Sequence, residues 1–86
     1  MIIEYTAWLP AEMLWEIAMR PKQPPCEKTK ESMRELGWRD CFPARITIQP
    51  GGHVRVDDGN HRLAYLRETN DLRKNIPVVM RVETRH

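Results

Sequence analysis

One stretch constrains the fold of this chain more than any other: a strand-like run that passes through a short polar turn into a helix-like run. The strand-like run is HVRV at residues 53–56, and the helix-like run is HRLAYLRET at residues 61–69. The turn between them, Asp57-Asp58-Gly59-Asn60, contains the residue types that favour turns and helix starts. Amide groups at a helix start are unpaired and carry partial positive charge, so this unit predicts a place where an anion binds.

The composition is that of one small globular domain. The chain has 86 residues, of which 41% are hydrophobic and 30% are charged. A formal net charge of +2 is by itself too small to argue for nucleic acid or a membrane surface as a partner. No membrane is expected, and nucleic acid stays a weakly supported partner that would be bound through its phosphates by a strip of basic residues: Arg62, Arg67, Arg81, Arg85 and His86. No apolar run approaches the roughly 20 residues that span a bilayer. The first five residues, MIIEY, do not resemble a signal peptide, so we expect a cytoplasmic protein.

The two cysteines, Cys26 and Cys41, are 15 residues apart and form no C-x-x-C pair. We expect two free thiols, because nothing else in the sequence indicates an oxidising compartment.

In the first half of the chain we expect one strand and two helices. β-branched and aromatic residues predict a strand over Ile2–Trp8. A helix is expected from Pro10, which suits a first helical position, until Pro21, which ends it. Its predicted apolar face is Met13, Leu14, Ile17 and Ala18. A second helix is expected over Glu27–Leu36, with Met33 and Leu36 facing inward, Gly37 as its C-cap and Trp38 docked just beyond.

After Pro43 the apolar period changes from helical to alternating, which predicts a hairpin. Its strands are Ala44–Gln49 and His53–Val56, joined by a turn at residues 50–52. The third helix follows, with Asp58 or Asn60 as its N-cap. It is expected to bury Leu63, Ala64 and Leu66. A polar break at residues 70–75 precedes a last strand over Ile76–Val82, in which Pro77 should lie near the start or on an edge. The predicted class is α+β, with a short mixed sheet packed with about three helices.

This order of elements, together with Asp58-Gly59-Asn60-His61-Arg62-Leu63-Ala64 and Ile76-Pro77-Val78, resembles the ParB/sulfiredoxin-like superfamily. The resemblance covers residues 27–83, about two thirds of the chain. It implies the small fold of the N-terminal domain of ParB partition proteins. It further implies that the loop between strand and helix binds the phosphates of a nucleotide, with Gly59, Asn60, His61 and Arg62 as the contacting residues.

Two departures from the family limit what the resemblance implies. Sulfiredoxins carry their reactive cysteine at the position of Asn60, so sulfiredoxin chemistry is not expected. ParB partition proteins continue into a helix-turn-helix and a dimerisation domain, whereas this sequence ends at His86. We therefore expect a single ParB-like domain over residues 1–86, of a kind typical of phages or plasmids. NTPase, phosphotransfer and nuclease activity are the reactions that the family leaves open.

Carboxylates in and near the loop are the candidates for metal binding, and two of the carboxylates together with a histidine are the candidates for catalysis. Asp57 and Asp58 are candidates to hold a magnesium ion together with a nucleotide phosphate. The spacing of the histidines and aspartates matches no zinc pattern, so no transition metal is expected. Candidate catalytic residues are His61, Asp58 and Glu31, the last because its helix borders the pocket in the resembled fold. Glu31 and Glu35 otherwise fit a solvated helix face.

An alternative function is a non-enzymatic interaction module, an adaptor or inhibitor that grips another protein. Its basis is the small size and the three tryptophans, Trp8, Trp15 and Trp38, which would otherwise belong to the core. A homodimer is a further expectation, since a domain this small gains stability by burying extra apolar surface.

Overall fold

Four strands and three helices make up the fold in a computed structural model, which describes residues 2–18 and 24–84. In chain order they are β1 (Ile2–Pro10), α1 (Ala11–Ala18), α2 (Glu27–Leu36), β2 (Ala44–Ile48), β3 (Val54–Asp58), α3 (Asn60–Glu68) and β4 (Asn75–Glu83). The predicted α+β class, with a mixed sheet and three helices, is confirmed. None of the described helices is long and apolar enough to cross a membrane.

The strands form one sheet in the order β1-β4-β2-β3. The last strand, β4, therefore lies inside the sheet, antiparallel to β1 and parallel to β2. The β2–β3 hairpin is antiparallel, with an irregularity between Arg45 and Ile46. Pro77 is the third residue of β4, near the strand start as predicted. Because β2 first pairs with β4 at Val78, Pro77 precedes the part of β4 that is paired on both sides.

The helices pack on one face of the sheet, which we call the helix face. Strand residues Ile46, Val56 and Val78 form a single buried cluster there with Leu14 of α1 and Leu63 of α3. The opposite, open face is formed by the alternate residues of each strand. Arg55, Thr47, Arg81 and Glu4 follow one another across it from β3 to β1.

The inward faces of the first two helices are narrower than the sequence predicts. In α1, Leu14 is buried, but Met13 is 48% exposed, because the two side chains lie about 100° apart around the helix. The side chains of Ile17 and Ala18, and the expected helix end at Pro21, lie outside the described residues. In α2, Met33 is buried as predicted, whereas Leu36 is 54% exposed.

The error at Leu36 has a geometric cause. Leu36 lies about 60° around the helix from Met33 and is the last residue of α2. The chain leaves the helix at Gly37, which has the positive φ of 66° expected of a glycine C-cap. Trp38 then packs against the core, as predicted, and Trp15 does the same. Trp8 is 59% exposed, so it is no part of the core.

Candidate functional site

The passage from β3 into α3 is sharper than the sequence predicts. β3 runs through Asp58, α3 begins at Asn60, and Gly59 alone is the N-cap, with a φ of 111°. The prediction that Asp58 or Asn60 caps α3 is therefore wrong. Asp58 instead pairs with Arg45 across the irregular part of the hairpin, and the Asn60 side-chain amide donates to the Val56 carbonyl at 3.4 Å.

Gly59 is needed both for its backbone conformation and for packing. A Cβ at this position would lie 3.2 Å from the Ala44 Cβ and 3.3 Å from the Trp38 ring. The residue that approaches the Gly59 backbone is thus Trp38, which follows α2. This contact fixes the start of α3 against the end of α2.

A cavity of about 420 Å³ opens between the first turns of α2 and α3. This volume is in the range of small-molecule sites, about 300–1,000 Å³. All four predicted phosphate-binding residues line it, as do both predicted metal-binding residues. The lining residues are Lys28, Thr29, Ser32, Met33, Asp57, Asp58, Gly59, Asn60, His61 and Arg62.

Both helices begin at this cavity without a side-chain cap. Cys26 is the N-cap of α2 and Gly59 that of α3, and neither residue offers a side-chain oxygen or nitrogen to cap the amides of its helix. The amides of a first turn need an acceptor from outside the helix and concentrate positive partial charge. The two helix starts therefore present two sets of donors to one cavity.

His61 links the two helix starts. Its Nδ1 accepts a hydrogen bond from the Cys26 backbone N–H at 3.3 Å. In the neutral ring this places the proton on Nε2, which can donate to a ligand. His61 is exposed and lines the cavity.

Arg62 reaches the cavity but is already engaged with protein groups. One guanidinium nitrogen donates to the Phe42 carbonyl, the guanidinium lies 4.4 Å above the Trp38 ring, and Nη2 is 3.6 Å from an Asp58 carboxylate oxygen. Burial lowers the pKa of Arg62 from its ordinary value, and the Asp58 charge opposes this. Arg62 is therefore a candidate phosphate ligand that also has a structural role, because its contacts join α3 to the loop after α2.

The two candidate metal-binding carboxylates serve different contacts. Asp57 accepts hydrogen bonds from the Arg55 Nε at 2.6 Å and from the Thr47 hydroxyl, on the open face. Burial raises its pKa, but the hydrogen bonds from Thr47 and Arg55 and the charges of Arg55 and Arg81 outweigh this and hold the pKa below its ordinary value. Asp58 pairs with Arg62. Among the described residues, no group of three or more His, Cys, Asp or Glu side chains is placed to hold a metal ion.

Sequence reasoning missed the α2 side of the cavity. Lys28, Thr29 and Ser32 line it, and their i, i+1, i+4 spacing places them on one helix face beside Met33. That spacing was a usable signal. Glu31, the candidate base on this helix, is exposed and is not among the lining residues.

Cys26 is a further residue near the site to which the sequence analysis gave no role. Both cysteines are free, as expected, and both are exposed. The Cys26 Sγ lies 3.0 Å from the Thr29 hydroxyl, and this hydrogen bond, with those from the backbone of the first turn, lowers the pKa of the thiol.

No family model, curated protein or solved structure gives a significant match to this chain. The resemblance to the ParB/sulfiredoxin-like superfamily therefore stays a prediction from the motif and the order of elements.

Proposed function

We propose that this domain binds a nucleotide, or another ligand that carries phosphate, in the cavity between α2 and α3. The observation that carries the proposal is the meeting of two helix starts without side-chain caps at one cavity of about 420 Å³. Backbone amides at helix starts are recurrent phosphate-binding groups. The cavity is large enough for more than an inorganic anion.

The side chains of the cavity suit the same ligand. Lys28 is exposed at the cavity, and among the described residues it has no carboxylate partner, so its charge is available to a phosphate. The His61 Nε2 supplies a further hydrogen-bond donor. A magnesium ion bound with the nucleotide would use Asp58, since Asp57 is held by Arg55 and Thr47.

An adjoining cavity of about 210 Å³ supports a nucleotide over free phosphate. It shares Ser32, Met33, Asp58 and Arg62 with the first cavity and adds Arg39 and Phe42. The Arg39 guanidinium lies 4.6 Å from the centre of the Phe42 ring, and Phe42 is 55% exposed. An exposed aromatic ring beside an arginine is a surface on which a base stacks.

The cytoplasm expected from the sequence is part of this proposal, and two free thiols fit a reducing compartment. Hydrolysis, phosphotransfer and nucleic-acid cleavage are the reactions to assay once a ligand is known.

The test is a thermal-shift screen with ATP, CTP, GTP, their diphosphates and inorganic phosphate, each with and without magnesium. A ligand at 100 times its dissociation constant stabilises the folded state by about 2.7 kcal/mol. We expect a nucleotide-dependent shift that falls in Lys28→Ala and persists in Lys30→Ala. Lys30 is a matched control, because it lies two residues further along α2 and pairs with Glu27 and Glu68 instead.

Arg62 is unsuited to this test, because its loss also removes the contacts to Phe42 and Trp38. A second variant, Phe42→Ala, separates the two parts of the ligand: it should weaken the shift with nucleotides and leave that with inorganic phosphate unchanged. No shift with any ligand, or equal shifts in wild type and Lys28→Ala, would refute the proposed site.

A further inference from the structure

The two edges of the sheet differ in how well they are protected from pairing with another strand. Exposed edges pair readily with foreign strands, and short strands, charged side chains and bulges prevent this. The β3 edge has all three devices. It is five residues long, three of them charged (Arg55, Asp57 and Asp58), and its pairing with β2 contains the irregularity.

Within residues 2–9 the β1 edge has only one of these devices, a single charged side chain, Glu4. β1 is nine residues long and pairs with β4 in an unbroken register. Its single charged residue is Glu4, and its single proline is the last residue, Pro10. No described strand pairs with its other side. β1 therefore presents a long row of backbone donors and acceptors.

β1 also holds most of the exposed apolar surface. Four of the seven large apolar side chains that are exposed in the described residues belong to it: Ile2 (51%), Ile3 (37%), Tyr5 (52%) and Trp8 (59%). Ile2 and Trp8 lie with Glu4 on the open face, whereas Ile3 and Tyr5 lie on the helix face. Both faces of the edge are thus apolar and open to a partner strand.

We propose that the partner is a second copy of this chain, joined by antiparallel β1–β1 pairing about a two-fold axis at Tyr5. In this register Ile2 lies opposite the partner's Trp8, Ile3 opposite the partner's Ala7, and Tyr5 opposite the partner's Tyr5. The β1 edge is self-complementary in this register, since each of its exposed apolar residues lies opposite an apolar residue of the partner. Two four-stranded sheets then join into one sheet of eight strands, with all helices on the same face.

Charge and backbone chemistry select this register over its neighbours. A two-fold axis at Glu4 places two carboxylates opposite each other, which is unfavourable. An axis at Thr6 pairs Ile2 with Pro10, which has no N–H to donate. The axis at Tyr5 places Glu4 opposite the partner's Thr6, and the intrachain neighbour of Glu4 across the sheet is Arg81. The single charge of β1 thus already has a cation beside it.

The test is sedimentation equilibrium of the wild-type protein over a wide range of concentrations, together with charge variants at the two-fold axis. Tyr5→Lys and Tyr5→Glu each place like charges opposite each other, so each should raise the dimer dissociation constant at least about tenfold. A mixture of the two variants should restore dimerisation, because Lys then faces Glu. Restoration in the mixture rules out misfolding as the cause of the loss.

Leu36→Lys is the matched control, since Leu36 is equally exposed (54%, against 52% for Tyr5) but lies on α2. It should leave the dissociation constant unchanged. A wild-type protein that stays monomeric, a dimer that tolerates Tyr5→Lys, or a mixture that fails to recover would overturn the proposal. The first of these outcomes would leave the β1 edge to a strand of another protein.

Discussion

At the scale of single residues, Arg62 shows how a motif can point to a residue that lines a cavity and still miss its main contacts. The turn sequence predicts that Arg62 faces an anion, and the side chain does reach the cavity. Its nearest partners are the Trp38 ring and the Phe42 carbonyl, which are contributed by the loop after α2. Arg62 and Phe42 are 20 residues apart in the sequence, so no local sequence pattern predicts this contact.

Asp57 belongs to the same scale and makes the stability of the protein depend on pH. Its pKa is lower in the folded state than in the unfolded chain, so folding favours the carboxylate. The stabilisation is present above the unfolded pKa and is lost as the pH falls through the folded one. Asp57→Asn should therefore lower the free energy of unfolding near pH 7, with a difference from wild type that shrinks below about pH 4.

Urea unfolding at a series of pH values measures this difference. Glu16→Gln, at an exposed position on α1, is the control and should track the wild-type protein throughout. A deficit of Asp57→Asn that stays constant down to low pH would show that the ion pair with Arg55 is not its source.

At the scale of elements, the sequence predicts the order and type of every helix and strand, and it misplaces some ends. Helix α2 matches its predicted bounds, because Pro25 and Gly37 are strong local boundary signals. Strand β3 begins one residue later and ends two residues later than predicted, because Asp58 pairs with Arg45 on β2. That pairing depends on the register of the hairpin, which cannot be predicted from the residues of β3 alone.

The junction of β3 and α3 supplies the prediction at this scale. Gly59→Ala imposes a strained backbone and also forces a Cβ against Ala44 and Trp38. Gly51→Ala is the matched control: its φ of 100° is close to the 111° of Gly59, but a Cβ there meets nothing within 4 Å. We expect both variants to unfold at lower urea concentration than wild type, with the larger loss for Gly59→Ala. Equal losses would mean that the contact with Trp38 contributes nothing.

At the scale of the whole molecule, the sheet order was beyond the reach of sequence reasoning. The α+β class followed from the period of the apolar residues, but the parallel pairing of β2 with β4 joins residues 34 positions apart, such as Ala44 and Val78. The cavity likewise depends on segments that are distant in the sequence, since α2 and α3 meet only after folding. The α3 half of the site was therefore predicted from its motif, whereas Lys28, Thr29 and Ser32 were not.

Core burial decides the stability of a chain this small. Leu63 is fully buried in the cluster that joins helices and sheet, whereas Leu36, also predicted to face inward, is 54% exposed. Leu63→Ala should cost about 2–5 kcal/mol of unfolding free energy, a large share of the 5–15 kcal/mol typical of a domain. Leu36→Ala should stay within about 0.5 kcal/mol of wild type. Urea unfolding of both variants checks this, and a large loss in Leu36→Ala would contradict the assignment of the core.

The interior position of β4 sets the order in which a newly made chain can fold. Until residues 75–83 leave the ribosome, β1 and the β2–β3 hairpin have no strand between them. The sheet can therefore close only after β4 has been synthesised, although β1 is made first. During that interval the apolar residues of β1 are available to other nascent chains and to chaperones. A ribosome that pauses between residues 58 and 75 would lengthen this exposure.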